Sequence, residues 1–132
     1  MKALLVVATL SVLAFTLAGC GSSSSNISGE LKTYTDSTTP ITATIGQEFI
    51  IALDSNPTTG SSWEEAHDAN LLSLVSSEYK PSPKTPPLVG AGGTHYFQFK
   101  ALKKGTTEIT LTYKRPWESE IGKQEVFTVN AK

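Results

Sequence analysis

The sequence predicts an all-β fold, an antiparallel β-sandwich of about seven to eight short strands. Threonine, valine, isoleucine and aromatic residues recur through the second half of the chain, and these residue types favour strands over helices. Turn signals made of glycine, proline and asparagine separate the apolar runs at short intervals, and no long helical pattern interrupts them. The 132 residues leave room for one domain of ordinary size.

The clearest strands are residues 48–54, a dense apolar run, and residues 107–114, which alternate with Ile109, Leu111 and Tyr113 facing inward. The other predicted strands cover residues 41–45, 62–66, 94–102 and 125–131, with one more near 31–35. Together they give the number of strands that a two-sheet sandwich of this length needs.

Two segments interrupt this pattern. Periodicity leaves residues 71–79 open between a strand pair and a short helical turn followed by a strand. Residues 80–93 contain four prolines and three glycines and are predicted to form a long loop. Trp63, on the third strand counted from residue 41, is expected to pack between the sheets as the core tryptophan of an immunoglobulin-like sandwich.

The N-terminal segment does not belong to this fold. Lys2 precedes an apolar stretch, residues 3–17, which is too short for a comfortable membrane span and is typical of an export signal. The stretch ends in Leu17-Ala18-Gly19-Cys20, which resembles the bacterial lipobox, in which the cysteine is lipidated and becomes the mature first residue. The alternative is an ordinary signal peptide that contains a chance cysteine.

The predicted organisation is a lipoprotein signal peptide at residues 1–19, a lipidated Cys20 with a serine-rich tether at 20–29, and a β-sandwich domain at 30–132. Several acyl chains at one cysteine hold a protein stably to a membrane. We therefore expect an exported protein that is lipid-anchored in a bacterial cell envelope. Gly21 lacks the aspartate that often retains lipoproteins in an inner membrane, which favours the outer membrane or the cell surface.

Composition excludes several function classes. The formal net charge is −1, so no basic excess predicts a nucleic-acid partner. Cys20 is the only cysteine, which leaves the mature domain without a disulfide or a thiol nucleophile. His67-Asp68 has no third ligand or nucleophile nearby, and His95 alternates with apolar residues as a partly buried strand histidine does. We expect no metal, no cofactor, no catalytic residue and a monomeric chain.

Topology predicts where the connections meet. In an antiparallel sandwich the chain reverses at every connection, so alternate connections lie at the same end. Counted from residue 41, the second, fourth and sixth connections are residues 55–61, 80–93 and 115–123. These three segments are expected to cluster at one pole of the domain, and they have the most unusual sequences in the chain.

The three segments suggest an interaction surface, although each has a purely structural alternative. The first contains Asn56, Pro57, Thr58, Thr59 and Gly60, the second Gly90, Ala91, Gly92 and Gly93, and the third Arg115, Pro116 and Trp117. A rigid turn explains the asparagine, proline and glycine of the first segment but not its two threonines. The second segment could be a flexible hinge. The tryptophan of the third could anchor an interface or fold back onto the sheet under the arginine.

Taken together and in this order, NPTTG, GxGG and RPW resemble the chagasin family, immunoglobulin-like inhibitors of papain-type cysteine proteases. The resemblance runs from residue 41 to the C-terminus and includes Trp63, while Ser61 departs from the aromatic residue often found there. It implies that residues 56–60 enter the protease cleft, with Thr58 nearest the catalytic cysteine and histidine. It also implies that residues 90–93 and 115–117 grip either side of the cleft.

The resemblance thus predicts a reversible, cleft-occluding protease inhibitor whose partner is a papain-like cysteine protease. The first alternative is a surface adhesion or ligand-binding module that uses the same pole. An enzyme is the weaker alternative, because the loop residues do not assemble a nucleophile with its base.

Overall fold

The computed structural model describes residues 31–83 and 90–132. The predictions for the signal peptide, for Cys20 and for the serine-rich tether fall on residues 1–30 and lie outside the described residues, as does the 84–89 part of the second loop. The single helical element among the described residues is a 3₁₀ turn, Pro57–Thr59, and no described helix is long and apolar enough to cross a membrane.

Two four-stranded sheets form the domain. The predicted all-β sandwich is therefore confirmed. The strands are β1 Lys32–Tyr34, β2 Ile41–Ala43, β3 Glu48–Ser55, β4 Ser62–Ala66, β5 Leu72–Pro81, β6 Gly93–Ala101, β7 Gly105–Lys114 and β8 Lys123–Ala131. Their order is β1-β3-β6-β5 in one sheet and β2-β8-β7-β4 in the other.

The long strands pair antiparallel, as predicted, whereas the two short strands pair parallel with their neighbours. β3–β6, β5–β6, β4–β7 and β7–β8 are antiparallel, whereas β1–β3 and β2–β8 are parallel. After β1 the chain crosses to the other sheet for β2 and returns for β3, so no hairpin joins either short strand to its neighbour and an antiparallel direction is not imposed.

The core lies between the inward faces of the two sheets. Its fully buried side chains include Phe97 and Phe99 from one sheet and Ile109, Leu111 and Phe127 from the other. Burial of each such side chain stabilises the fold by roughly 1.5–3 kcal/mol relative to an exposed position. The alternation predicted for residues 107–114 is present, and it brings the third inward residue, a tyrosine, to the end of β7.

Trp63 occupies the predicted core position and is only 7% exposed. Its indole ring lies 5.0 Å from the ring of Tyr113, centroid to centroid. The indole nitrogen donates a hydrogen bond of 2.9 Å to the carbonyl oxygen of Asp54, near the end of β3. The tryptophan therefore ties β4 to the end of β3, the strand that leads into the first of the three unusual loops.

The segment that periodicity left open is a turn followed by one strand. The amides of Leu71 and Leu72 both donate to the carbonyl of Asp68, and β5 then continues to Pro81 with a bulge between Leu74 and Ser76. The predicted loop 80–93 is consequently shortened to 82–92. Pro81 is tolerated at the end of β5 because β5 is an edge strand, where a missing amide proton on the outer side removes no ladder hydrogen bond.

Strand direction defines two poles. β3, β5 and β7 all end at the pole that carries loop 1 (56–61), loop 2 (82–92, described at 82–83 and 90–92) and loop 3 (115–122), which is called the loop pole below. β1 is parallel to β3 and begins beside Phe49, so the described chain starts at the opposite pole.

Candidate functional site

The three loops predicted to cluster are in direct contact. The side-chain amide of Asn56 in loop 1 donates a 3.1 Å hydrogen bond to the carbonyl oxygen of Gly90 in loop 2. The guanidinium Nε of Arg115 in loop 3 donates a 3.0 Å hydrogen bond to the carbonyl oxygen of Thr59 in loop 1. Loop 1 therefore lies between the other two and is held from both sides.

Loop 1 is a closed 3₁₀ turn. Pro57 begins it with a fixed φ angle, and Gly60 ends it at φ +82°, in the left-handed region that favours glycine. The amide of Thr59 donates to the carbonyl of Asn56 at 3.2 Å, and that of Gly60 donates to the carbonyl of Pro57 at 3.0 Å. The positive φ expected at Gly60 is present, and the turn keeps residues 57–59 compact.

The two threonine hydroxyls of loop 1 bond within the turn. Thr58 Oγ1 donates to Asn56 Oδ1 at 2.5 Å, and Thr59 Oγ1 donates to the carbonyl oxygen of Asn56 at 2.8 Å. The side chains of Thr58 and Thr59 remain exposed at the tip of the loop. Their hydroxyls thus hold the shape of the turn, and the two residues form its exposed tip.

Trp117 is the most exposed large apolar side chain among the described residues, at 72%. Its ring lies against Gly60, because a Cβ built on Gly60 would stand only 2.6 Å from the ring atom Cη2. Exposure of an aromatic ring on this scale is typical of an interface anchor. The sequence left open whether this tryptophan folds back onto the sheet, and the structure places it outward, resting on loop 1.

Arg115 is engaged by its own chain. Besides the bond to loop 1, its Nη1 lies 3.0 Å from Glu118 Oε1 in an exposed ion pair, and the amide of Glu118 donates to the Arg115 carbonyl at 3.1 Å. Pro116, between them, is exposed. An exposed ion pair adds little to the free energy of unfolding. The contribution of Arg115 is geometric, because it orients loop 3 against loop 1.

The glycines of loop 2 serve two different purposes. Gly90 and Gly92 have φ of +81° and +70°, and the intervening Ala91 is half-buried. Gly93 lies in β6, where a Cβ would come within 2.1 Å of the Lys80 carbonyl oxygen. Close approach of β5 therefore explains Gly93, whereas Gly90 and Gly92 allow the left-handed backbone at the end of loop 2.

A shallow, open depression of about 380 Å³ lies between loops 1 and 2. Its lining includes Asp54, Asn56, Gly92 and Tyr113. Within residues 31–83 and 90–132, no group of three or more histidine, cysteine or carboxylate side chains is arranged to hold a metal ion. The depression is open, and its lining offers hydroxyl, amide and backbone groups to a partner surface.

The two histidines lie away from the loop tips. His67 Nδ1 lies 2.6 Å from Glu65 Oε2, so its partner is not the neighbouring Asp68. His95 Nε2 lies 2.7 Å from Ser77 Oγ, and its ring stacks on Phe97 at 4.3 Å. Burial lowers the pKa of His95 below its usual value of 6.5 and favours the neutral ring. The sequence-based expectation of a partly buried strand histidine is met.

Two residues that build the site, Trp63 and Tyr113, make contacts beyond those that the sequence predicts. Trp63 was expected in the core, but its hydrogen bond to Asp54 beneath loop 1 was not. Tyr113 was placed on the inward face of β7, yet its hydroxyl accepts a 2.8 Å hydrogen bond from the amide of Asn56. A signal existed in the sequence, because a tyrosine on an inward face needs a partner for its hydroxyl.

Comparisons with known proteins agree with this geometry. The model of the family described as Chagasin family peptidase inhibitor I42 matches residues 42–131. Chagasin from Trypanosoma cruzi is 35% identical over 98 residues, which cover 70% of this chain and 86% of chagasin.

Solved structures are similar as well. The cysteine protease inhibitor EhICP2 from Entamoeba histolytica superposes with a TM-score of 0.68 at 29% identity, covering 77% of this chain and 96% of that protein. Amebosin superposes with a TM-score of 0.63 at 29% identity, covering 77% of this chain and 98% of that protein. The family match spans both sheets and all three loops, and the chain therefore belongs to the chagasin family of peptidase inhibitors.

Proposed function

We propose that the chain is a reversible inhibitor of papain-like cysteine proteases that occludes the active-site cleft with the loop pole. The observation that carries this proposal is that loop 1 is hydrogen-bonded to both loop 2 and loop 3, with the 72% exposed Trp117 beside it. The similar structure from Entamoeba histolytica is that of a cysteine protease inhibitor. Family membership places the chain among inhibitors of peptidases and not among enzymes.

The central loop is suited to a cleft. In the proposed complex residues 56–60 enter the cleft, with Thr58 nearest the catalytic cysteine and histidine of the protease. The 3₁₀ turn presents no extended segment whose peptide bond could align with the attacking thiolate. No covalent bond forms or breaks, so the inhibitor is released intact.

Loops 2 and 3, which flank loop 1, would contact the two walls of the cleft. Gly90, Ala91 and Gly92 would lie against one wall of the cleft, where glycine lets the backbone approach closely. Trp117 would stack on the other wall, beside Pro116 and Arg115. The hydrogen bonds between the loops and the fixed φ angle of Pro57 limit the conformations that the free loops can adopt. Docking should therefore cost little conformational entropy.

Enzyme kinetics test the proposal. Residues 30–132 should inhibit papain competitively and reversibly, should be recovered with an unchanged mass, and should leave the serine protease trypsin active. Trypsin is the matched control, because its nucleophile lies in a differently shaped site. Failure to inhibit papain at micromolar concentration, or rapid cleavage between residues 56 and 60, would contradict the proposal.

We also propose that Cys20 carries a lipid anchor that holds the mature chain in a bacterial cell envelope, as a monomer facing outward. The lipobox-like motif supports the modification, and the fold is compatible with it, because the described chain begins at the pole opposite the loops. An anchor on that side leaves the loop pole free to meet a protease. Cys20→Ser should abolish labelling by a radioactive fatty acid, and labelling that persists in the variant would contradict the anchor.

A further inference from the structure

The hydroxyl of Tyr113 binds both backbone groups of the residue that begins loop 1. It accepts a 2.8 Å hydrogen bond from the amide of Asn56 and lies 3.3 Å from the carbonyl oxygen of the same residue, to which it donates. The ring that carries this hydroxyl stands at the end of β7 and packs against the buried Trp63. One side chain of the sandwich thus fixes the backbone at the start of loop 1.

Asn56 in turn organises two loops. Its side chain accepts hydrogen bonds from the amide and the hydroxyl of Thr58 and donates to the carbonyl of Gly90. Its carbonyl oxygen accepts from the amide and the hydroxyl of Thr59. A rotation of the Asn56 backbone would therefore disturb the cap of loop 1 and the bond to loop 2 at the same time.

We propose that Tyr113 is a positioning residue of the inhibitory site, one that acts through Asn56. The proposal rests on the inhibitory function proposed above and adds a residue that lies beneath the contact surface. A second bond reinforces it, because Trp63 holds the carbonyl of Asp54, two residues before Asn56. The aromatic pair of Trp63 and Tyr113 thereby transmits the rigidity of the sheets to loop 1.

Loss of the hydroxyl should change the population of loop shapes and leave the packed ring in place. If only a tenth of the free molecules keep loop 1 in its binding shape, the apparent affinity falls about tenfold, because binding must first select that fraction. A loop that visits extended shapes also offers the protease a peptide bond. The variant should therefore be cleaved slowly between residues 56 and 60.

The test compares the full chain with its Tyr113→Phe variant, which keeps the ring and removes only the oxygen. Three quantities are measured: affinity for papain, hydrogen exchange of the Asn56 amide in the free protein, and intactness of the inhibitor by mass spectrometry after prolonged incubation. We expect about tenfold weaker binding, faster exchange and slow cleavage within loop 1. Tyr34→Phe is the matched control, because it removes a hydroxyl from a tyrosine that is 6% exposed and pairs with the middle of β3.

The outcomes separate the two proposals. A wild-type chain that does not inhibit papain refutes the proposed function. A wild-type chain that inhibits, beside a Tyr113→Phe variant with equal affinity and equal protection of the Asn56 amide, overturns the positioning role alone. A variant that fails to fold, or that loses no more affinity than Tyr34→Phe, assigns the tyrosine to the stability of the sandwich and likewise overturns it.

Discussion

Two glycines allow backbone strain to be separated from contact between loops. Gly60 in loop 1 and Gly46 at the opposite pole have nearly equal positive φ angles, +82° and +85°. An alanine in this left-handed region costs roughly 1–2 kcal/mol of folding free energy at either site. Both Gly60→Ala and Gly46→Ala should therefore lower the melting temperature by several degrees, about 4–8 °C per kcal/mol for a domain of this size.

The surroundings of the two sites differ. A Cβ at Gly46 meets nothing within 4 Å, whereas a Cβ at Gly60 would stand 2.6 Å from Cη2 of Trp117 and 3.3 Å from Cζ2. The indole ring must move, because the turn beneath it is closed by hydrogen bonds. Loss of a well-placed aromatic anchor typically costs about 2 kcal/mol of binding free energy, which is about a thirtyfold loss of affinity.

The assay is a double-mutant cycle against papain. Gly46→Ala should bind as tightly as wild type, and Gly60→Ala should bind about thirtyfold more weakly. The double variant of Gly60→Ala with Trp117→Ala should bind about as weakly as Trp117→Ala alone, because both changes remove the same anchor. Equal affinity of Gly60→Ala and Gly46→Ala, or strictly additive losses in the cycle, would refute the claim that loop 1 positions Trp117.

Three further variants test other parts of the account. Thr58→Ala removes the hydroxyl that bonds Asn56 and should cost about 1 kcal/mol of binding free energy, less than Trp117→Ala; an equal or larger loss in titration would contradict the order. Trp63→Ala should cost about 3–5 kcal/mol of unfolding free energy, measured by denaturant, and a change below 1 kcal/mol would exclude it from the core. The pKa of His95 is lower in the folded protein than in the unfolded chain, so the unfolded chain binds a proton at a higher pH. Folding stability therefore falls as the pH drops below 6.5. His95→Gln should lose less melting temperature than wild type between pH 7 and pH 5, and equal losses would show that this histidine does not cause the decline.

Much of the fold follows from local pattern, because strict alternation allows one register against a buried core. Alternation puts Ile109 and Leu111 inside. The succession of long strands determines which loops share a pole, since each long strand reverses the chain. The parallel pairing of β1 with β3, and of β2 with β8, could not be predicted in this way. Those strands are three residues long and their partners are distant in the sequence, so no local signal determines their direction.

The site was predictable as a set of loops and less so as a set of contacts. The motif order identified the loops, and a prolyl turn with a left-handed glycine followed from residue types alone. The bonds of Arg115 to Thr59 and of Tyr113 to Asn56 depend on distances between segments that are far apart in the chain. The sequence assigned Arg115 to contact with the protease. The structure assigns it first to its own loops, and its contact with a protease stays a prediction.

In the proposed complex the loop pole covers the catalytic cysteine of the protease, and access to that cysteine can be measured. Papain is treated with iodoacetamide at increasing concentrations of the domain, and the rate of alkylation of the active-site thiol is followed by mass spectrometry. We expect the rate to fall in proportion to the fraction of papain bound, and Trp117→Ala to shift the dependence to about thirtyfold higher concentration. Formation of the complex with an unchanged rate of alkylation would contradict occlusion of the cleft.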